Sequence, residues 1–195
     1  MSEIVLSAGI RSNLLQLQKT SDLITLTQTR LATGKRVNSA LDSPINFFTA
    51  AGLSNRANDL SNLLDSMSTA INTIQAADNG ITSITKLVQS AQALVSQAQQ
   101  TTDTTIRSSL ATQFNAILTQ VDQLAGDSGF NGVNLLNGNN LTVTLNESGT
   151  STVTVTAVTF TATGLSVANA ANNWGGTADI TAASTDLTAA LTTLR

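Results

Sequence analysis

The sequence predicts a mainly α protein: an elongated antiparallel helical rod with a small β-hairpin region. Three observations carry that expectation. Leu53, Ala57, Leu60, Leu64, Met67, Ile71, Ile74, Asp78, Ile81, Thr85 and Val88 step by four and three, the spacing of a coiled-coil seam. A helix over residues 53–88 would be on the order of 54 Å long, against a radius of gyration of about 16 Å for a compact chain of this length. After Gly126 the helical period gives way to turn residues and two short segments of period two.

The first helix is expected from about Leu6 to Thr33, with Ile10, Leu14, Leu17, Ser21, Ile24, Gln28 and Leu31 on its seam. Leu15, Leu23 and Leu26 widen that stripe beyond one contact. The first residues, with Ser7 and Gly9, make a weak helix start. Gly34 suits the position just past a helix, and Arg30 the last turn, where a cation meets the negative end of the dipole. Residues 35–43 read as a connector in which Asp42 or Ser43 can cap the next helix and Pro44 can open it. Phe47 and Phe48 would anchor the turn.

A long second helix is expected to reach about Gln100 despite Gly80, which costs about 1 kcal/mol relative to Ala. Beyond Gly80 a second seam, Ile84, Leu87, Ala91, Leu94 and Ala98, overlaps the first, as for a helix with several neighbours. Thr101-Thr102-Asp103 make a turn and an N-cap, and Leu110, Phe114, Ile117, Val121 and Leu124 mark a third helix ending at Gly126. The short connection makes that helix antiparallel to the long one. Residues 141–145 and 152–156 alternate at period two around Asn146-Glu147-Ser148-Gly149, a β-hairpin extended by residues 158–161. Residues 164–182, with Trp174-Gly175-Gly176, hold no clear period, and a last helix is expected near Ala183 with Leu187, Leu191 and Leu194. It looks like the beginning of a longer helix, so the chain reads as a fragment or a truncated product.

Composition narrows the function classes. With no Cys and no His, thiolate metal sites, disulfides, a Cys nucleophile, a Ser-His-Asp triad and the zinc-protease helix motif are all excluded. No catalytic, cofactor or metal residues are assigned, and an enzyme is not expected. Gly34-Lys35-Arg36 lacks the rest of a P-loop. A net charge of −3 gives no nucleic-acid surface, and no run is long and apolar enough for membrane insertion. The N-terminus lacks the basic region and apolar run of a cleaved signal peptide. The charge is divided: residues 1–60 carry six basic and four acidic groups, residues 61–195 three and eight. With 11% charged and 3% aromatic residues, the chain suits narrow helical seams and assembly. On spacing alone, the seams fit an intramolecular bundle as well as self-association. The Asn140 and Asn146 glycosylation patterns read as chance in an Asn- and Thr-rich hairpin.

Two motifs break the balance. Leu31-Ala32-Thr33-Gly34-Lys35-Arg36-Val37-Asn38-Ser39-Ala40, followed by Asp42, resembles the N-terminal signature of bacterial flagellins. Phe130-Asn131-Gly132-Val133-Asn134-Leu135-Leu136 resembles the stretch that closes their N-terminal helical segment. The resemblance covers residues 1 to about 138, and its motif residues are Gly34, Arg36, Asn38, Ser39, Asp42, Phe130, Asn131 and Gly132. It implies a secreted subunit of the flagellar filament, with self-copies, the export apparatus, and junction and cap proteins as partners. It also implies a division into an inner-tube helix (1–34), an outer-tube helical rod (35–138), a β-rich variable region (139–182) and the start of a C-terminal helix (183–195). Ile10, Leu14, Leu17, Ile24, Leu31, Leu53, Leu60, Leu64, Met67, Ile71 and Ile74 are then the helix-packing and assembly seam. A hook–filament junction protein shares the first motif, and a coiled-coil scaffold or signalling module would explain the seams without the motifs. Asp42-Ser43-Pro44-Ile45-Asn46 resembles the variant of soil-type α-proteobacteria. Residues 89–97 lack the Arg-rich patch of flagellins sensed by the vertebrate innate receptor.

Overall fold

The computed structural model describes residues 7–195, so the expected start of the first helix at Leu6, and the terminal residues read as lacking a signal peptide, lie outside the described residues. Its elements are α1 (Ala8–Thr33), α2 (Pro44–Gln100), α3 (Thr104–Asp127), β1 (Leu141–Thr144), β2 (Thr152–Val155), a short 3₁₀ turn (Ala171–Trp174) and α4 (Thr177–Thr193). They fall into two compact units, one up to Asp59 and one from Leu60 to Arg195.

In the first unit, the Ser7 hydroxyl caps α1 by accepting from the Ile10 N–H, and Gly34 ends the helix at φ 65°, a left-handed conformation that glycine adopts at little cost. Thr20, Thr25, Thr27, Thr29 and Thr33 each donate a hydroxyl to the carbonyl four residues back. That bond gives each hydroxyl a partner within its own helix. No residue of α1 is buried.

In the second unit, α2 and α3 run antiparallel. Residues 98 and 107 meet at one end, where the Arg107 Nε–H is shared between the carbonyls of Ala98 (3.2 Å) and Thr101 (2.7 Å). At the other end Gly80 faces Ser128 and Leu136. Asp103 caps α3 as expected, accepting from Thr105 N–H (2.8 Å) and Ile106 N–H (3.3 Å).

The face that α2 buries differs from the expected one. Its buried residues are Ala70, Thr73, Ala77, Gly80, Ile84, Val88, Ala91, Val95 and Ala98, a three-four stripe of mostly small side chains. Leu53, Leu60, Leu64, Ile71 and Ile74 are exposed, and Met67 is only half-buried. The seam read from the large residues is therefore not the one that packs within the chain: between residues 70 and 84 the true seam lies one position earlier, about 100° around the helix. The overlapping second seam is nearer the mark, with Ile84, Ala91 and Ala98 buried and Leu87 and Leu94 half-buried.

The same core takes Leu110, Phe114, Leu118 and Val121 from α3, Leu135, Leu136, Phe160, Leu165 and Trp174 from the following segment, and Ile180, Leu187 and Leu191 from α4. β1 and β2 pair antiparallel with Leu141 opposite Val155 and Thr144 opposite Thr152, the expected hairpin. Residues 158–160 do not lengthen that hairpin but lie along the second motif: Val158 and Phe160 N–H donate to the carbonyls of Leu135 and Leu136 at 2.8 and 3.0 Å. The irregular stretch is tied to α3 by Asp122, which accepts from Ala162 N–H (2.7 Å), and Asn115, which accepts from Ala170 N–H (2.8 Å). Trp174 then stacks obliquely on Phe114, ring centres 5.0 Å apart. α4 begins at Thr177, ahead of the expected Ala183, because Ile180 already belongs to its buried face.

Candidate assembly surfaces and the two motifs

The first motif is a clasped connector. Asp42 does not cap α2. Its carboxylate turns back and accepts from the backbone N–H groups of Asn38 (3.0 Å) and Ser39 (3.1 Å). The Asn38 side chain donates to the Lys35 carbonyl (3.2 Å), and the Asp42 N–H to the Ser39 carbonyl (3.2 Å), so residues 35–42 close on themselves. The Asn38 and Ser39 donors, helped by the positive charge of Arg30, hold the Asp42 carboxyl below its ordinary value. α2 starts from Ser43, whose carbonyl accepts from Phe47 N–H (2.9 Å) and whose hydroxyl accepts from the Asn46 side chain (3.0 Å). Phe47 and Phe48 meet edge to face at 5.6 Å, with Phe47 half-buried and Phe48 exposed. Arg36, with Lys35, Val37 and Asn38, rims an open hollow against Phe47 and Ala51.

The second motif is a tight turn followed by a helix cap. Phe130 and Val133 exchange both backbone hydrogen bonds (2.9 and 3.0 Å) around Asn131 at φ 49° and Gly132 at φ 81°. Two successive positive φ angles are what a type I′ turn demands, hence Asn-Gly. Asn134, buried, then stops α3: its Nδ2 donates to the carbonyls of Ala125 and Gly126, 2.8 Å each, and its Oδ1 accepts from Leu136 N–H at 2.9 Å. These are last-turn carbonyls of α3, which have no partner within the helix. The sequence shows Asn134 as part of the motif without its capping role, and Gly80 only as a cost in helix propensity; the part played by Arg107 is not legible there. A lone Gly in a long helix and an Arg just after a three-residue connection were the signals available.

Outside the motifs the notable surface is apolar. On α1, Ile10, Leu14, Leu15, Leu17, Leu23, Ile24 and Leu31 are all half or more exposed, and Leu23, Ile24, Thr27, Gln28 and Leu31 shape a shallow groove. On α2, Leu53 in the first unit and Leu60, Leu64, Ile71 and Ile74 in the second are exposed likewise. Monomeric soluble proteins rarely leave large contiguous apolar stripes to water. Among the described residues no helix is long and apolar enough to cross a membrane, and no group of acidic side chains is placed to hold a metal ion.

Comparison with known families decides what kind of assembly this is. The family model of the bacterial flagellin N-terminal helical region matches residues 8–141. The chain belongs to the bacterial flagellin family. Flagellins are structural subunits of the extracellular flagellar filament, and this chain is such a subunit. Its fold is similar to the crystal structure of Bacillus cereus flagellin, with a TM-score of 0.54 and 23% identity over 69% of this chain and 76% of that one. A comparison with curated proteins gave no match. Both motifs of this flagellin fall within the matched residues.

Proposed function

We propose that this flagellin divides its apolar surface between two tasks, folding of the subunit and contact between subunits in the filament. The observation that carries this reading is the exposure of the large four-three stripe, Leu60, Leu64, Ile71 and Ile74, beside a buried stripe of small residues on the same helix. Each buried Leu or Ile side chain is worth about 1.5–3 kcal/mol, so stripes left open on a subunit are reserves for polymerisation. The α1 stripe would serve in the inner tube and the α2 stripe in the outer tube, with residues 139–182 as the outward variable region. Self-copies are the main partners, and export apparatus, junction and cap proteins the transient or terminal ones. The small side chains of the buried stripe support this division, because they let the end of α3 and the second motif lie close on α2 without using the large residues.

The test is Leu64→Asp, and separately Leu17→Asp, in the protein as the bacterium makes it. Circular dichroism and melting of the purified subunit should match the parent, while electron microscopy shows no filaments and motility is lost. Normal filaments from both variants would refute the division. Antibody labelling along the whole filament separates a filament subunit from a junction protein, which would label only the hook end.

A further inference from the structure

The second motif carries chemistry that its structural role does not use. Three Asn-Gly pairs occur in the chain, at 79–80, 131–132 and 137–138. Such pairs can lose the Asn amide spontaneously, because glycine has no side chain to shield the nitrogen that attacks. The fold places the three in different situations. Asn79-Gly80 lies inside α2, where the helix fixes the backbone and Gly80 is buried against Ser128 and Leu136. Asn137 is pinned between segments: its N–H donates to the Asn134 carbonyl (3.3 Å), and it pairs with Thr159 in an isolated β-bridge. Asn131 and Gly132 form the two-residue tip of the type I′ turn, both exposed, with no atom within 4 Å of where a Gly132 side chain would stand. The turn is closed by the Phe130–Val133 bonds, neither of which involves Asn131 or Gly132, and the Asn131 side-chain amide makes no hydrogen bond among the described residues.

We propose that Asn131-Gly132 is a site of spontaneous deamidation in the folded subunit, ahead of Asn137-Gly138, with Asn79-Gly80 protected. The Gly132 backbone nitrogen gives its proton to hydroxide and bonds to Cγ of Asn131. The Cγ–Nδ2 bond breaks and ammonia leaves, taking a proton from water. The succinimide ring then takes up one water, and either of its two C–N bonds to the Gly132 nitrogen opens. One opening leaves an ordinary aspartyl residue where Asn131 stood; the other leaves an isoaspartyl link, with the main chain routed through the side-chain carbon. No oxidation or reduction occurs. Both products add a negative charge at a shallow groove that Asp65 also lines. The isoaspartyl product also adds a methylene to a two-residue turn, whose paired hydrogen bonds at 2.9 and 3.0 Å then cannot both close. The turn that the motif requires is thus a slow clock for ageing of the subunit.

The experiment is incubation of the folded chain at mildly alkaline pH, with samples digested by chymotrypsin in heavy-oxygen water so that changes made during digestion carry the label. Cleavage after Phe130, Leu135 and Leu141 puts Asn131 and Asn137 on separate peptides. Unlabelled conversion should appear severalfold faster at Asn131 than at Asn137 and be undetectable at Asn79, and a urea-unfolded sample should erase the ranking. Conversion at Asn137 or Asn79 equal to or ahead of Asn131 would overturn the proposal. So would an unmodified Asn131 in the folded chain when the unfolded sample converts there.

Discussion

Replacing Asn134 tests whether the second motif is a helix cap, and the structure supplies the magnitude. Asn134→Ala removes three hydrogen bonds of 2.8, 2.8 and 2.9 Å in a buried setting. The Leu136 N–H, itself in the core, is left with no acceptor, and the carbonyls of Ala125 and Gly126 lose their donor. A buried polar group left unpaired costs about 1–3 kcal/mol, and partial rehydration of the helix end offsets some of the total, so the expected loss is about 2–4 kcal/mol. For a chain of this size each kcal/mol lowers the melting temperature by about 2–4 °C. A fall on the order of 10 °C is therefore expected.

Asn134→Asp is the sharper variant because it keeps size and shape. Its second oxygen would stand against two carbonyl oxygens at the negative end of the α3 dipole, where a carboxylate is repelled. At neutral pH this variant should melt below Asn134→Ala. The new carboxyl should hold its proton above the ordinary value of about 3.9, since only the protonated form can donate to a carbonyl. With the folded pKa raised, the folded state binds more protons between the unfolded and folded pKa values. Stability should therefore recover as the pH falls through that window and be lost as it rises. Thermal unfolding of the three proteins between pH 4 and 8 measures both effects. An Ala variant as stable as the parent, or an Asp variant indifferent to pH, would refute the capping role.

Other outcomes follow from the same geometry. Gly80→Ala places a Cβ about 2.7 Å from Leu136 Cδ1 and closer still to Ser128, so overpacking of about 1–3 kcal/mol should outweigh the helix-propensity gain of about 1 kcal/mol. Gly52→Ala, in the same helix with nothing within 4 Å, should instead stabilise, and melting temperatures moving the same way would contradict the close approach. Val88→Asp, at a site 1% exposed, should cost about 3–5 kcal/mol or prevent folding, while Leu64→Asp, at 67%, should stay within about 0.5 kcal/mol of the parent subunit in denaturant titrations. The Asp42 clasp, a carboxyl with a lowered pKa, should persist at neutral pH and down through the ordinary carboxylate range; it should open only as the pH falls through the lowered pKa. An Asp42 side-chain titration by NMR with a midpoint at or above about 3.9 would refute it. Exposed Gln89, Ser90, Ala93, Ser96 and Gln97 offer no planar cation, so a reporter-cell assay for the innate flagellin receptor should show poor activation.

Helices, caps and the hairpin were legible in the sequence because each has a local cause. Gly34 after Thr33, Pro44 after Ser43, Asp103 before Thr104 and the alternation on both sides of Asn146 act within a few residues of themselves, and each acts in the fold as its chemistry suggests. What escaped were partners far along the chain. Nothing local tells that Asp122 receives the Ala162 N–H or Asn115 the Ala170 N–H, bonds that bridge 40 and 55 positions. The left-handed Asn172, Asn173 and Trp174 are equally opaque, since only the place against Phe114 at the end of the turn rewards that backbone.

The misread face of α2 has a different origin. A pattern argument assigns burial to the largest apolar residues, because they gain most from leaving water. That rule holds for a chain whose only partner is itself. A filament subunit has neighbours as well as a fold of its own, and on α2 the buried stripe and the exposed stripe of large residues sit about 100° apart. The folding stripe of α2 from residue 70 to 80 is Ala70, Thr73, Ala77 and Gly80, residues with little side chain to gain from burial but small enough to bring the end of α3 and the second motif close. From Ile84 onward the stripe turns larger, with Ile84, Val88 and Val95 all at 1% exposure or less. The chain thus spends its large residues inside where the core is thick and outside where the helix is thinly covered. Hydrophobic size alone locates a contact in such a protein without saying whose contact it is. In this flagellin the stripe of small residues is the better guide to the fold of the subunit, and the exposed stripe of large ones is the surface we propose for its neighbours.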